Sequence, residues 1–324
     1  MDIVRFLKDW TLPVSISVGT ASYLLFYSVP QLDAAGNALS PVLDTLFPVT
    51  VFLTLLFTFC KVDFHQMRPH RWHVGVLVAQ LLLVALNVAV VLAIDSGWLP
   101  LASAPADKLF WEALLTCCIG PSASAAPVVA AKLGGNISTM TTYNLISALF
   151  SALLIPAVFP LLEQTAHVSF TAAFLIILQK VAMVLLLPLV MGWVVQHHLP
   201  RLQRWVAAQP NLSFYCWAVS LSITTGITVK NIVHSEASPT LLLAIAGGAL
   251  ALCALQFAVG RTIGRHLGEE VNAGQALFQK NTALSIWVAY MYLHPVASIG
   301  AGCYVLWQNI VNSIEMWIYR KGER

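Results

Sequence analysis

The sequence predicts an all-α membrane protein with about ten transmembrane helices, and three observations support that fold class. The 324 residues are 58% hydrophobic and only 10% charged, with a mean hydropathy of +0.78. Apolar segments recur along the chain at close to the length of about 20 residues that a bilayer core requires. The connections between them are short and hold nearly all of the charge. Because soluble domains are about 25% charged, this composition excludes a soluble enzyme and a nucleic-acid binder.

Candidate spans follow one another along the whole chain, and three of them are unusual. The second is the shortest, and it could begin as early as Leu43. The fourth is interrupted by Gly120-Pro121, and the ninth by a polar run from Gln275 to Asn281. Because lipid cannot bind free backbone groups, such interruptions must be buried in protein. The predicted spans are 10–29, 46–60, 74–94, 109–132, 137–162, 168–195, 211–233, 237–260, 271–293 and 296–319.

The basic residues orient the chain with both termini in the cytoplasm. Cytoplasmic loops carry an excess of Lys and Arg, and in this orientation only Lys108 and Lys230 fall outside, while Lys180 and Lys280 fall within spans. Because the C-terminal segment is also basic, the number of spans must be even, with eight as the alternative to ten. We expect a multi-pass protein of the cell inner membrane. The inside residues are Arg5, Lys8, Lys61, Arg68, Arg71, Lys132, Arg201, Arg204, Arg261, Arg265, Arg320, Lys321 and Arg324.

Several kinds of site are disfavoured by the composition of the spans. None of the 14 acidic residues lies near the middle of a span, so no mid-membrane carboxylate is expected. The 6 cysteines lie in or beside apolar segments and predict buried thiols rather than a disulfide framework. The histidines at positions 65, 70 and 73 lack partner ligands, so no metal, cofactor or enzymatic centre is predicted. The first residues lack the pattern of a cleaved signal peptide.

The interrupted fourth span is the first candidate binding region. It contains two prolines and the hydroxyls of Ser122 and Ser124, and it ends in a Gly-Gly-Asn136 turn. Broken helices expose backbone groups at membrane depth, and transporters bind ions and substrates there. The alternative is a kinked helix whose small residues allow tight packing.

The ninth span is the second candidate binding region. Five polar side chains within an apolar helix are costly unless they face a cavity or one another. The alternative is a cytoplasmic loop followed by a late span, but only about a dozen apolar-rich residues follow the polar run, too few to cross a bilayer. The five are Gln275, Gln279, Lys280, Asn281 and Thr282.

Two further polar residues lie inside spans. Gln80, with Asn87 two turns later, is either a ligand or a link between packed helices. Lys180, in the sixth span, either extends along lipid to the interface or faces a cleft and holds an anion. The sequence leaves both pairs of alternatives open.

Several segments, in order, carry a family resemblance. They are FLTLLFTFCKVDF ending at Phe64, Gln80, CCIGPSASAAPVVAAKLGGN ending at Asn136, LLLPLVMG ending at Gly192, and FQKNTALS in the ninth span. Together they resemble the bile acid:sodium symporter family, which includes bacterial carriers of pantoate-like acids. The resemblance covers the whole chain, and its strength lies in the order of the motifs.

The resemblance implies a specific architecture. Two inverted five-helix repeats, residues 1–162 and 163–324, would place broken helices four and nine across each other. A core domain of residues 74–162 and 237–319 would lie beside a panel domain of residues 10–60 and 168–233. Substrates in the family are mostly organic anions with an apolar body, taken from a cleft between the domains.

The resemblance does not extend to the family's sodium sites. Sodium requires several oxygen ligands and a charge that offsets the cost of its dehydration. The residues at the matching positions mostly lack such groups, and the family's glutamate is replaced by an amide or a methyl group. These positions fall on Ala126, Pro127, Met140, Asn144 and Gln275 or Ala276.

Lys280 lies beside the place that the ions would occupy, and three hypotheses describe it. Its ammonium could replace sodium by donating up to three hydrogen bonds to the same carbonyls and amides, which would make the carrier proton-linked or uncoupled. It could instead attract the anionic group of the substrate. In the third hypothesis it extends to the interface, and sodium binds elsewhere.

We therefore predict a secondary transporter of an organic anion that works by alternating access. The substrate is expected to be bile-acid-like or a small carboxylate such as pantoate. The predicted site comprises Gln80, Ser122, Ser124, Asn136, Asn144, Lys180, Gln275, Gln279, Lys280 and Asn281. The alternative is a membrane sensor with the transporter fold that binds its ligand without turnover.

Overall fold

A computed structural model describes residues 11–61, 68–99, 105–162, 169–209 and 212–322, and these ranges are almost entirely helical. They contain no strand beyond one pair of bridged residues. Six helical segments are long and apolar enough to cross a membrane. These are Pro30–Phe59, Arg71–Asp95, Ile137–Leu162, Phe170–His198, Tyr215–Val233 and Pro239–Leu267.

Thirteen α-helices are described, and we number them in chain order. The first five are α1 Thr11–Ser28, α2 Asp33–Phe59, α3 Arg71–Asp95, α4 Pro105–Ile119 and α5 Ala126–Lys132. The next four are α6 Ile137–Leu162, α7 Phe170–His198, α8 Pro200–Ala207 and α9 Leu212–Val233. The last four are α10 Pro239–Leu267, α11 Glu270–Phe278, α12 Thr282–Tyr292 and α13 Ala297–Gly322.

Helix α2 begins well before the predicted second span of residues 46–60, so that boundary was wrong. Pro41 and Pro48 lie inside α2, and prolines usually mark a helix end because they lack an N–H donor. Threonine hydroxyls of this helix bond to backbone carbonyls of the same helix. Thr45 Oγ1 donates to the Pro41 carbonyl at 3.0 Å, and Thr50 Oγ1 donates to the Phe47 carbonyl at 2.8 Å. Helix α2 continues through both prolines without a break.

Some helix ends follow directly from local sequence. The side chain of Ser238 accepts a hydrogen bond from the Leu241 N–H and so caps the start of α10. The same helix ends at Gly268, whose φ of 78° is left-handed and favours glycine. Capping thus sets both ends of α10, which continues past the predicted boundary at residue 260.

The described residues fall into two compact units. The first unit is drawn from Met1–Lys61 and Leu187–Ser235, and the second from Val62–Leu186 and Glu236–Arg324. In the first unit α9 packs against α1 and α2. A side-chain carbon at Gly19 would collide with the Ser222 carbonyl, so glycine permits the close approach of α1 and α9.

The second unit contains α3 to α6 and α10 to α13. Helix α4 packs against α3, α10 and α13, and α11 packs against α10. At the contact of α4 with α13, a side-chain carbon at Gly300 would collide with the Ala113 backbone. A buried apolar cluster links α3, α6 and α11. Its members are Trp72, Val76, Ala123, Ala126, Ala130, Met140, Tyr143, Ala273, Ala276 and Leu277.

Candidate functional site

Two helices of the second unit are broken in the middle. The chain leaves α4 at Ile119 and re-enters helix at Ala126, and it leaves α11 at Phe278 and re-enters at Thr282. Pro121 explains the first break because it lacks an N–H donor and clashes with the preceding turn. The second break contains neither proline nor glycine, so its cause must lie in the residues that surround it.

The two breaks meet in an antiparallel backbone bridge, which we call the helix crossing. The Ala123 N–H donates to the Gln279 carbonyl at 2.8 Å, and the Asn281 N–H donates to the Pro121 carbonyl at 2.8 Å. Ser122 and Lys280 are therefore directly opposite each other. Opposed residues of an antiparallel pair project their side chains to the same face, with Cβ atoms about 5 Å apart. The Ser122 hydroxyl and the Lys280 side chain thus share one face of the crossing.

Amide side chains bind the carbonyls that the first break leaves free. Nε2 of Gln80 lies 3.1 Å from the Cys118 carbonyl, 3.4 Å from the Ile119 carbonyl and 3.0 Å from the Gly120 carbonyl. Nε2 of Gln256 donates to the Cys117 carbonyl at 3.2 Å. A buried carbonyl without a donor costs about 1–3 kcal/mol. These two glutamines, one from α3 and one from α10, therefore stabilise the end of α4.

Side chains of α13 perform the same task at the second break. Tyr304 OH donates to the Phe278 carbonyl at 2.7 Å. The Lys280 N–H donates to Gln308 Oε1 at 3.0 Å, and Gln308 Nε2 donates to the Lys280 carbonyl at 3.4 Å. The Asn281 side chain then caps α12 by accepting the Leu284 N–H at 3.2 Å. The second break forms because these partners replace the lost helical hydrogen bonds.

The Lys280 side chain is buried, with 1% of its surface exposed, and its Nζ has no hydrogen-bond partner among the described residues. No described carboxylate pairs with it, and Cys118 is the titratable group with which it interacts electrostatically. Ser122 Oγ is also buried without a partner, as are Gln80 Oε1 and Gln279 Oε1. The Lys280 ammonium and the Ser122 hydroxyl are unsatisfied donors that suit an anionic group, and the two amide oxygens are acceptors that suit a donor group of the same ligand.

Gln275 belongs to a second group of residues, which we call the charged cluster: Arg261, Arg265, Glu270, Gln275 and Glu315. Gln275 Nε2 donates to Glu315 Oε2 at 2.7 Å, and Glu315 also contacts the Arg261 guanidinium closely. Arg261 and Arg265 both pair with Glu270, at 3.4 and 2.9 Å. The cluster holds α11 between α10 and α13. The hydrogen bond from Arg265 and the positive charges of Arg265 and Arg261 hold the pKa of the Glu270 carboxyl below its ordinary value.

The other predicted site residues are divided between the crossing and the surface. Asn144 is buried, and its Nδ2 donates to the Ala123 carbonyl at 3.3 Å. Ser124 lies in the first break and is half-buried. Asn136 is exposed at the start of α6, where its Oδ1 accepts the Ser138 N–H at 2.9 Å, so it lies outside the crossing. Lys180 is exposed on α7.

Several residues that contact the crossing were not predicted from the sequence: Gln256, Tyr304, Gln308, Ser147 and Ser151. Ser147 Oγ accepts the Ser122 N–H at 2.9 Å, and Ser151 Oγ donates to the Ile119 carbonyl at 3.3 Å. An amide in the middle of an apolar span, such as Gln256, is the signal that could have identified part of this set. Hydroxyls in spans give a weaker signal, because they usually bond within their own helix.

Long apolar helices and two broken helices that meet inside the protein are the features of a membrane transporter. A comparison with protein families agrees with this class. The model of the Sodium Bile acid symporter family matches residues 48–235, more than half of the chain, and the chain belongs to that family. Membership implies a multi-pass membrane transporter of organic anions rather than an enzyme. No curated protein matches the chain significantly.

Proposed function

We propose that the protein carries an organic anion across the membrane by alternating access, with the anionic group bound at the helix crossing. The observation that carries this proposal is the buried, unpartnered Nζ of Lys280 on the same face as the unpartnered Ser122 hydroxyl. A buried ammonium without a counter-charge is costly, and a carboxylate ligand would remove much of that cost. The proposed substrates are bile-acid-like anions or small carboxylates such as pantoate.

The proposed architecture is ten spans in two inverted repeats, residues 1–162 and 163–324. Matched hydrogen bonds support it. In each half, the bridged residue of the broken helix donates its N–H to the next long helix, Ser122 to Ser147 and Lys280 to Gln308. We assign the core domain to residues 74–162 and 237–319, and the panel domain to residues 10–60 and 168–233. The two compact units support most of that assignment, although residues 168–186 of the proposed panel belong to the second unit.

Transport is proposed to be independent of sodium. By the family resemblance, Ala126, Met140 and Ala276 stand at or beside positions that would surround the ion, and all three belong to the apolar cluster. Gln275 stands at or beside the family's glutamate position, but its nearest carboxylate, Glu315, is already paired with Arg261. The side chains of Ala126, Met140 and Ala276 would give sodium no oxygen ligands in return for its lost water.

The way in which Lys280 was expected to replace sodium needs correction. Its Nζ donates to none of the described carbonyls, and the amides of Gln80 and Gln256 bind those at the end of α4. Its burial also argues against the alternative in which it extends to the membrane surface. The amides therefore stabilise the break, and we assign Lys280 to attraction of the substrate's anionic group.

Uptake into proteoliposomes tests the proposal. The purified protein is reconstituted, and uptake of labelled taurocholate and pantoate is measured with sodium outside and again with choline in its place. We expect uptake of at least one anion at the same rate in both media. Lys280→Met should reduce that uptake at least tenfold, because the ligand loses its counter-charge.

Lys180→Met is the matched control, since it removes the same charge from an exposed position of α7. It should leave uptake unchanged. A strict sodium requirement would refute the proposed sodium independence, and full activity of Lys280→Met would refute the assigned role of Lys280. Saturable binding of an anion without any uptake would identify the protein as a sensor with the transporter fold.

A further inference from the structure

Helix α8 of the first unit is short and amphipathic. Its Val206 is buried and packs with Cys60 and Val195. Leu202 lies four residues before Val206 and three before Trp205, so it extends the apolar strip from Val206 to Trp205, yet Leu202 and Trp205 are exposed, with Trp205 at 55%. An exposed apolar strip next to a buried anchor is typical of a helix that lies in the plane of the membrane interface.

Positive charge lies beside this apolar strip of α8, with Arg201 four residues before Trp205. Arg201 and Arg204 are exposed one turn apart, and within the described residues neither pairs with a carboxylate. The chain contains no Asp or Glu from position 164 to position 235. Lys61 Nζ donates to the Gln209 carbonyl at 2.8 Å, just beyond the end of α8. No acidic residue between positions 164 and 235 therefore offsets the positive charges of Arg201 and Arg204.

Aromatic residues extend the surface toward the end of α7. Trp193 is 45% exposed and stacks on the ring of His197, with centroids 4.5 Å apart. Tryptophan at such a position is typical of the boundary between hydrocarbon and headgroups. Together with Trp205, it places this end of the first unit at the level of the lipid headgroups.

We propose that Arg201, Arg204, Leu202 and Trp205, here called the α8 surface, bind an anionic phospholipid. The two guanidinium groups bind the headgroup phosphate, for which the planar fork of arginine is well suited. Leu202 and Trp205 contact the upper part of the acyl chains. Free phosphate could satisfy the arginines but would leave these two apolar side chains without a partner.

Native mass spectrometry of the full-length protein tests the proposal. Delipidated protein in detergent is titrated with phosphatidylglycerol or with phosphatidylcholine of the same acyl chains, and dissociation constants are determined. We expect phosphatidylglycerol to bind more tightly. The double variant R201Q/R204Q should weaken its binding roughly 25-fold, about fivefold for each arginine, and weaken phosphatidylcholine binding much less, because choline already offsets the phosphate charge of that lipid.

The double variant R68Q/R71Q is the matched control, because it removes two exposed arginines near the start of α3. It should retain tight phosphatidylglycerol binding at the α8 surface. In the unmodified protein, raising the ammonium acetate concentration to 0.5 M should also abolish most of the preference, since the screening length then falls to about 4 Å. This measurement does not depend on how well a variant folds.

Three results would overturn the proposal. Equal affinity for the two lipids would show that charge plays no part, and an equal loss in both double variants would show that the site is not at α8. Displacement of phosphatidylglycerol by inorganic phosphate alone at low millimolar concentration would assign the arginines to a free anion. None of these measurements depends on transport, so the lipid site and the proposed function can fail separately.

Discussion

Ser122 and Lys280 lie opposite each other in a two-residue antiparallel bridge, although they come from opposite halves of the chain. Both backbone hydrogen bonds of this bridge measure 2.8 Å. The bridge joins the break after α4 to the break after α11. If either break closed into a continuous helix, the other would lose its backbone hydrogen-bond partners. A hydroxyl and an ammonium are thereby held on one face of the crossing.

The first prediction concerns Gln80, whose amide binds carbonyls at the end of α4. Gln80→Leu should lower the stability of the purified protein by about 1–3 kcal/mol, because buried carbonyls lose their donor. Gln80→Glu should be at least as harmful, since a carboxylate cannot donate to a carbonyl. Thermal unfolding in detergent measures both. Gln179→Leu, at an exposed position of α7, should have little effect, and equal losses at both sites would contradict the assigned role.

The second prediction concerns the close contact of α13 with α4. Gly300→Ala places a methyl group against the Ala113 backbone and should destabilise the protein by about 1–3 kcal/mol through overpacking. Gly247→Ala meets nothing within 4 Å inside α10 and should be neutral or slightly stabilising. Thermal unfolding of the two variants side by side decides the matter. Similar melting temperatures would show that α4 and α13 do not approach as described.

The third prediction concerns the charged cluster. Arg261→Gln leaves Glu315, whose side chain is only 10% exposed, without its cationic partner. The expected loss is about 1–3 kcal/mol, less than for a fully buried pair because Arg261 is partly exposed. The double variant R261Q/E315Q should lose less than the sum of the single variants. Arg265→Gln should have a small effect, since this side chain is 66% exposed. Strict additivity in chemical or thermal unfolding would argue against the pair.

The fourth prediction concerns orientation in the membrane. Helix α3 has 25 residues and is about 37 Å long, so its two ends should lie on opposite sides of the bilayer. A cysteine introduced at Arg68 should react with an impermeant thiol reagent only after the membrane is opened. A cysteine introduced at Trp98, which is 85% exposed, should react in intact cells. Labelling of position 68 from outside would reverse the proposed placement of both termini in the cytoplasm.

The sequence by itself determined the class of protein and the positions of the breaks. Hydropathy is a local property, so long apolar segments can be recognised without knowing what they pack against. The Gly120-Pro121 pair and the polar run that contains Lys280 are costly within a membrane helix, and this cost can also be recognised from the local sequence alone. The family match was likewise expected from motifs in their order along the chain.

Only the tertiary structure decided which groups meet. Gln256 binds a carbonyl 139 positions away, and Tyr304 and Gln308 bind groups 26 and 28 positions away; the adjacent sequence does not specify which groups these are. Gln275 was expected at the crossing, but its amide donates to Glu315, and Asn136 caps a helix instead. Buried polar atoms take whichever partners the packed helices bring within hydrogen-bond distance. That choice depends on helix rotation and crossing, which the hydropathy of a nearly uniform apolar span does not specify.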